Sequence, residues 1–227
     1  MSAALTPPAT PVIRADQVCA VVLAGGEGRR MGGVDKGLQI LHGQALARHA
    51  LQRLQQQTLG IPRTLAINAN RSQSDYAAWG FPVWPDSVGG FAGPLAGFHT
   101  ALEHCAATHD YLLTVPCDSP LFPLDLLARL AQALASPSAN VAMACAPDGP
   151  QDRSLRRQPV FCLLKTSLHG SLAQYLREGG RKIDAWTQAQ GQIAVAFDLP
   201  QDDPRAFFNA NTLAELQMLE GAAATHP

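Results

Sequence analysis

The sequence has no apolar run approaching the roughly 20 residues that a membrane-spanning helix needs, so no membrane partner is expected. Nor does it carry an excess of either charge: 17 Lys and Arg stand against 18 Asp and Glu, a formal net charge of −1. A general nucleic-acid binder usually shows a basic face, so no nucleic-acid partner is expected either. The five cysteines (Cys19, Cys105, Cys117, Cys145 and Cys162) form no C-x-x-C pair. Most of them lie in or beside apolar runs, where a free thiol behaves as a small buried hydrophobe. A cysteine zinc site is therefore not expected, and a reducing cytoplasm suits the chain best. Residues 1–16 hold Pro7, Pro8 and Pro11 but neither the basic n-region nor the apolar h-region of a secretory signal, and they read as a disordered extension. Residues 221–227 read as a flexible tail. No repeat and no linker interrupts the span between, and 47% hydrophobic residues suffice for a full core. The expectation is a single domain over 17–220.

What the chain does carry is concentrated between Val21 and Leu38. Val18–Leu23 reads as a buried strand, and it stops at a loop rich in glycine that also carries Arg29 and Arg30. Gly25, Gly26 and Gly28 lack the Cβ atoms that would hold a ligand off the backbone, and they permit positive φ. Successive N–H groups in such a loop make a concavity for anions, and Arg29, Arg30 and Lys36 surround it with positive charge. A triphosphate suits such a cradle; the alternative is a surface turn with solvated arginines. Two general fingerprints fail. Gly32, Gly33 and Lys36 do not fall on the G-x-x-x-x-G-K-[ST] spacing, and Gly26-Glu27-Gly28-Arg29-Arg30-Met31 lacks the third glycine of a dinucleotide loop.

Farther along, helices are expected at 44–57, 74–79, 94–105, 123–135, 166–177 and 182–188. Strands are expected at 64–67, 81–84, 111–115, 140–145, 159–164 and 192–197, with a polar loop over 147–157 and a last helix after Thr212. Alternation of this kind implies a mostly parallel sheet covered on both faces. Ligands bind such sheets outside the carboxyl ends of the strands, and Leu23, Asn68, Asp86 and Asp118 each sit where a predicted strand stops. Asp118 there either holds Mg²⁺, which takes one or two protein carboxylates and fills its shell from phosphate and water, or caps the following turn. Asn68 can offer a donor and an acceptor to a base, or can serve its own turn together with Asn70. Asp86 likewise either accepts from a ligand or forms a turn. Pro94 suits the first position of a helix whose N-terminus, at Gly93, offers partial positive charge.

Three strings, Leu23-Ala24-Gly25-Gly26, Arg30-Met31-Gly32-Gly33 and Asp35-Lys36-Gly37-Leu38, closely resemble the signature loop of molybdenum cofactor guanylyltransferases, members of the nucleotidyltransferase superfamily. Pro116-Cys117-Asp118, Gly93-Pro94-Leu95-Ala96-Gly97 and Asn209-Ala210-Asn211-Thr212 extend the likeness, which reaches from about Val18 to Met218. It implies an α/β fold: one three-layer αβα domain with a mostly parallel, Rossmann-like sheet of the nucleotide-diphosphosugar transferase type. It divides the domain into a nucleotide half, about 17–120, and an acceptor half, about 121–220. It also implies transfer of GMP from GTP to molybdenum–molybdopterin, with pyrophosphate released, Mg²⁺ as cofactor, and cofactor-synthesis proteins and molybdoenzyme apoproteins as further partners.

Carried over residue by residue, the resemblance makes Arg30, Lys36 and Asp118 catalytic, with Asp118 the metal ligand. It assigns the nucleotide to Leu23, Ala24, Gly25, Gly26, Lys36, Asn68, Asp86 and Asp118. On the acceptor side it points to Gly93, Arg156, Gln158, Arg181, Asn209 and Asn211, the arginines as partners for a pterin phosphate. A cytidylyltransferase for the same cofactor, a sugar-nucleotide pyrophosphorylase and a non-catalytic molybdopterin carrier are the rivals. Gly26 and the Gly-Gly-x-Asp-Lys-Gly string speak against the first two, and a carrier has no need of a triphosphate metal site.

Overall fold

A computed structural model describes residues 12–25, 35–89, 93–147, 154–210, 212 and 215–217. Among them, β1 (Val18–Leu23), β4 (Thr64–Asn68), β5 (Val83–Trp84), β6 (Tyr111–Pro116), β7 (Val141–Pro147), β8 (Leu155–Lys165) and β9 (Gln192–Ala196) form one sheet in the order β5-β4-β1-β6-β8-β7-β9. Every pairing is parallel except those of β8, which runs antiparallel to both β6 and β7. The intervening helices are α1 (Leu46–Gln55), α2 (Gln73–Ala77), α3 (Pro94–Cys105), α4 (Leu126–Leu134), α5 (His169–Arg177) and α6 (Ile183–Ala189).

Alternation along the strands sends successive side chains to opposite faces, and two cores result. Val18, Ala20 and Val22 of β1 join Leu113 and Val115 beneath α1 and α4. Cys19, Val21 and Leu23 join Leu112 and Met143 beneath α3, α5 and α6. All six residues of β1 are buried, as a strand covered on both faces requires. The five cysteines are buried thiols, as their apolar settings foretold. No helix among the described residues is long and apolar enough to cross a membrane.

The sheet departs from the expected pattern in two places. Residues 155–157 are not loop: β8 begins at Leu155 and pairs Leu155, Arg156 and Arg157 with Pro147, Ala146 and Cys145. These residues are exposed, beyond the reach of the helices, so their polarity reports an uncovered strand end rather than a turn. Second, residues 44 and 45 are not helical. A small hairpin, β2 (Ile40–Leu41) with β3 (Gln44–Ala45), turns on His42 and Gly43, both at positive φ, and α1 starts only after it.

Register sets the site. Leu23 lies opposite both Asn68 and Pro116, and Asn68 lies opposite Trp84, so four parallel strands end in one row. Two backbone bonds extend that row past the strands: Ala24 N–H donates to the Asn68 carbonyl at 2.8 Å, and Cys117 N–H donates to the Leu23 carbonyl at 3.1 Å.

Candidate active site

Beyond this row the chain assembles three groups of polar side chains. The first closes around Asn68, which is buried. Its Nδ2 donates to the Trp84 carbonyl and to Asp86 Oδ1, both at 2.9 Å. Asn70 then braces the same carboxylate: its Nδ2 donates to Asp86 Oδ2 at 2.7 Å while its Oδ1 accepts from Asp86 N–H at 2.8 Å. Both hydrogens of the Asn68 amide are thereby taken. Its donor capacity, expected for a base, serves the protein, and Oδ1 remains as an acceptor. That oxygen sits between two glycines. A Cβ at Gly25 would stand 3.2 Å from it, and one at Gly97, within α3, only 2.5 Å.

The second group faces the end of β6. Lys36 Nζ donates to Asp118 Oδ2 at 3.2 Å across 82 residues of sequence, with both side chains mostly enclosed. Lys36 opens a 3₁₀ turn, Lys36–Leu38, that Asp35 caps by accepting from Gly37 N–H at 3.1 Å. Asp35 Oδ1 also accepts from the Tyr76 hydroxyl at 2.6 Å. Burial, followed by this hydrogen bond to Asp35, pushes the Tyr76 phenol far above its ordinary range, so it stays a donor. Burial, with Asp118 and Asp35 adding to it, also pushes the Cys117 thiol well up. A thiol held neutral in this way is no nucleophile.

The third group ties the C-terminal segment to the same place. Ser119, fully buried, donates from Oγ to Asn209 Oδ1, and Ala210 N–H donates to the Asp118 carbonyl at 2.8 Å. Thr212 caps the turn that comes next: Glu215 N–H donates to its Oγ1 at 3.1 Å, as the sequence led one to expect.

Of the residues singled out from sequence, Leu23, Ala24, Gly25, Lys36, Asn68, Asp86, Asp118 and Asn209 are thus gathered at one rim. The Leu23 carbonyl and the Ala24 N–H continue the sheet there, and the chain leaves it at Gly25. Gly93 stands before α3 at φ +128°, with Pro94 at the first helical position. Arg156 and Gln158 lie on the amino-terminal part of β8, which its antiparallel course brings to the carboxyl ends of β6 and β7. Arg181 donates from Nη1 to the Gly180 carbonyl at 2.8 Å and to the Leu176 carbonyl at 3.4 Å, closing the end of α5. Gly26, Arg30 and Asn211 lie outside the described residues. Asp35 and Gly97 were read only as parts of longer strings, and Tyr76 and Ser119 were not singled out; a lone tyrosine in a short polar helix gives no signal of its own.

Among the described residues no three His, Cys, Asp or Glu side chains stand close enough to hold a metal ion. The donor set is one enclosed carboxylate facing one ammonium group. It does not fit a closed zinc cage, and it does fit a hard cation that shares its shell with phosphate oxygens and water.

Solved structures share the fold. Molybdopterin-guanine dinucleotide biosynthesis protein A from Archaeoglobus fulgidus superposes with a TM-score of 0.70 at 19% identity, covering 91% of this chain and 99% of that one. 4-diphosphocytidyl-2C-methyl-D-erythritol synthase from Anaerococcus prevotii does so with a TM-score of 0.70 at 9% identity, covering 92% and 97%. Sequence likeness is far stronger to two curated proteins, each named molybdenum cofactor guanylyltransferase. That of Acidovorax ebreus is 53% identical over 213 residues, 92% of this chain and 98% of its own. That of Albidiferax ferrireducens is 54% identical over 211 residues, again 92% and 98%. A family model described as the MobA-like NTP transferase domain matches residues 20–195, from within β1 to within β9 with every element between them. The chain belongs to the MobA-like NTP transferase family, and within it to the molybdenum cofactor guanylyltransferases.

Proposed function

We propose that this protein transfers GMP from GTP to the terminal phosphate of molybdenum–molybdopterin, giving the guanine dinucleotide form of the cofactor and pyrophosphate. The observation that carries the reading is the Lys36–Asp118 pair at the strand ends, joined across 82 residues in a chain 53% identical to a molybdenum cofactor guanylyltransferase. An acceptor phosphate oxygen attacks the α-phosphorus, the bond to the β-phosphate breaks, and its electron pair leaves with pyrophosphate. The nucleophile is already an anion, so no general base is needed, and alignment with charge neutralisation is the protein's task. Mg²⁺ held by Asp118 would offset the charge of the triphosphate when bound. Lys36 would supply a compact positive charge to a phosphate oxygen, and Arg30 would do the same for the departing pyrophosphate.

Guanine is read by the acceptor Asn68 Oδ1 and the carboxylate of Asp86, which suit the N–H groups on its Watson–Crick edge. Leu23, Ala24, Gly25 and Gly26 provide backbone contacts. The acceptor molecule lies toward Gly93 and toward Arg156, Gln158, Arg181, Asn209 and Asn211 of the half of the domain that begins near residue 121. Cofactor-synthesis proteins deliver it and molybdoenzyme apoproteins receive the product, in the cytoplasm. Pyrophosphate release measured separately with GTP, CTP and UTP tests the reading; a preference for CTP would overturn the guanylyl assignment. Asp118→Ala is expected to abolish release while the protein stays folded, and near-parental activity in that variant would remove the metal assignment.

A further inference from the structure

We infer that Tyr76 is a positioning residue for Lys36: its buried hydroxyl fixes the capped turn from which the lysine reaches Asp118. The inference rests on the reading of Lys36 as a phosphate-binding residue. Tyr76 is fully buried, and its ring meets Trp79 edge-on at 5.2 Å between centroids. The ring is thus held by packing, and the hydroxyl is aimed rather than free to swing. It donates to Asp35 Oδ1 at 2.6 Å, and the same oxygen accepts from Gly37 N–H at 3.1 Å. One carboxylate oxygen, on the residue before Lys36, therefore links α2 to Gly37, the residue after it, in a turn only three residues long, Lys36–Leu38. A side chain as flexible as lysine gains direction when its backbone is fixed on both sides.

Steric evidence points the same way. A Cβ on Gly37 would lie 2.3 Å from the Tyr76 hydroxyl oxygen and 3.2 Å from ring atom Cζ. The hydroxyl occupies the space that any larger residue at 37 would need. Tyr76 also sits on α2, which comes after Asn68 and Asn70 and a left-handed residue, Ser72, at φ +49°. The tyrosine thereby joins the segment that braces Asp86 to the segment that bears Lys36.

The test is a double-mutant cycle read as kcat/KM for GTP in pyrophosphate release, with urea unfolding run in parallel to show that each variant is folded. Lys36→Met alone is expected to lower kcat/KM by about 10²–10³-fold, the scale for removing one charge-stabilising donor. Tyr76→Phe alone is expected to lower it by about 10–100-fold, the scale for a residue that orients a site ligand. In the Lys36→Met background Tyr76→Phe should change nothing beyond about twofold, because the group it positions is gone. A purely structural tyrosine would give the same loss in both backgrounds. Equal losses overturn the inference, and so does a parental rate for Tyr76→Phe. If Lys36→Met is itself without effect, the role given to Lys36 falls first and the positioning role falls with it; if Lys36→Met is damaged and Tyr76→Phe is not, only the positioning role falls. A second pair guards against misfolding. Gly37→Ala should be worse than Tyr76→Phe, and combining the two should recover part of the difference, since the hydroxyl is the nearest atom in the way while Tyr76 Cζ and Ala24 Cβ, at 3.2 and 3.3 Å, remain. A combined variant no better than Gly37→Ala overturns the inference.

Discussion

Replacing Gly97 with alanine adds one methyl group to a helix, and two opposing effects of known size decide the result. Alanine favours an α-helix interior over glycine by about 1 kcal/mol. Against this, the new Cβ would stand 2.5 Å from Asn68 Oδ1 and 3.0 Å from Leu23 Cδ2, where ordinary contact begins at 3.4 Å. Overfilling a close-packed site costs about 1–3 kcal/mol, so the net loss of stability is about 0–2 kcal/mol and the unfolding midpoint falls by no more than about 8 °C. The local effect is larger in kind. Asn68 must retreat by the difference between 2.5 and 3.4 Å, and it is tied to the Trp84 carbonyl and to Asp86 Oδ1 at 2.9 Å each. A shift near 1 Å in a reacting constellation costs about 100-fold. The expected outcome is a folded Gly97→Ala protein whose kcat/KM for GTP drops about 10–100-fold. Steady-state pyrophosphate release and urea unfolding measure the two sides. Gly170→Ala is the control: it lies on the exposed face of α5 with nothing within 4 Å of the new methyl, so its kinetics should be parental and its stability equal or slightly raised. If Gly97→Ala turns over GTP within twofold of the parent while folded, Asn68 does not act from the position described.

Asn70→Ala removes two hydrogen bonds from Asp86, at 2.7 and 2.8 Å, but on an exposed side chain; the Michaelis constant for GTP should rise about 3–10-fold, at about 1 kcal/mol of net loss, with kcat held. Arg129 donates to Asp202 at 2.8 Å and to the Ala196 carbonyl, and stacks 3.9 Å from the Phe197 ring centroid. Arg129→Ala should therefore cost about 1–3 kcal/mol in urea unfolding and leave turnover unchanged. Burial, then the neighbouring His169, lowers the pKa of His99. The unfolded imidazole takes a proton near pH 6.5 that the folded one resists, so stability should be constant above about 6.5 and fall as pH drops below it. His99→Gln should flatten that fall in unfolding curves between pH 7.5 and 5.5, leaving the contribution of His109, whose pKa burial also lowers.

How much of this was legible in the sequence depended on whether the cause was local. β1 declares itself because a strand buried on both faces needs an unbroken apolar run, and β6 repeats the pattern before Asp118. The start of α3 was legible because Gly93 and Pro94 act within one turn. The first residues of β8 were not, since Leu155, Arg156 and Arg157 are strand only by virtue of pairing with Pro147, Ala146 and Cys145. The β2–β3 hairpin was missed for a related reason: His42 and Gly43 make its turn, and histidine at positive φ is a weaker sign than asparagine would be. The placement of Asp118 could be read from the strand that precedes it; that its partner among the described residues is Lys36 could not, because 82 residues and the parallel register of β1 and β6 intervene.

The glycines at the rim have a reason that the local sequence does not announce. From sequence, Gly25 stands for open backbone that a ligand approaches and for a conformation other residues avoid. The second does not describe its place, because Gly25, Gly37 and Gly97 adopt no positive φ, and each also leaves room for a side chain of this same protein. At Gly25 that side chain is Asn68 on one side and Asn70 on the other, at Gly97 it is Asn68 again, and at Gly37 it is Tyr76. Each of these neighbours holds a carboxylate: Asn68 and Asn70 hold Asp86, and Tyr76 holds Asp35. Small residues at the rim therefore let polar groups pack against the backbone, and those polar groups aim the acids. A loop built only to admit a ligand would tolerate alanine wherever space lies open and φ is negative, as at Gly89. The distinction between glycines that leave space for solvent and glycines that leave space for the protein is set by contacts between β1, β4, α2 and α3, and it becomes visible only when those four elements are brought together.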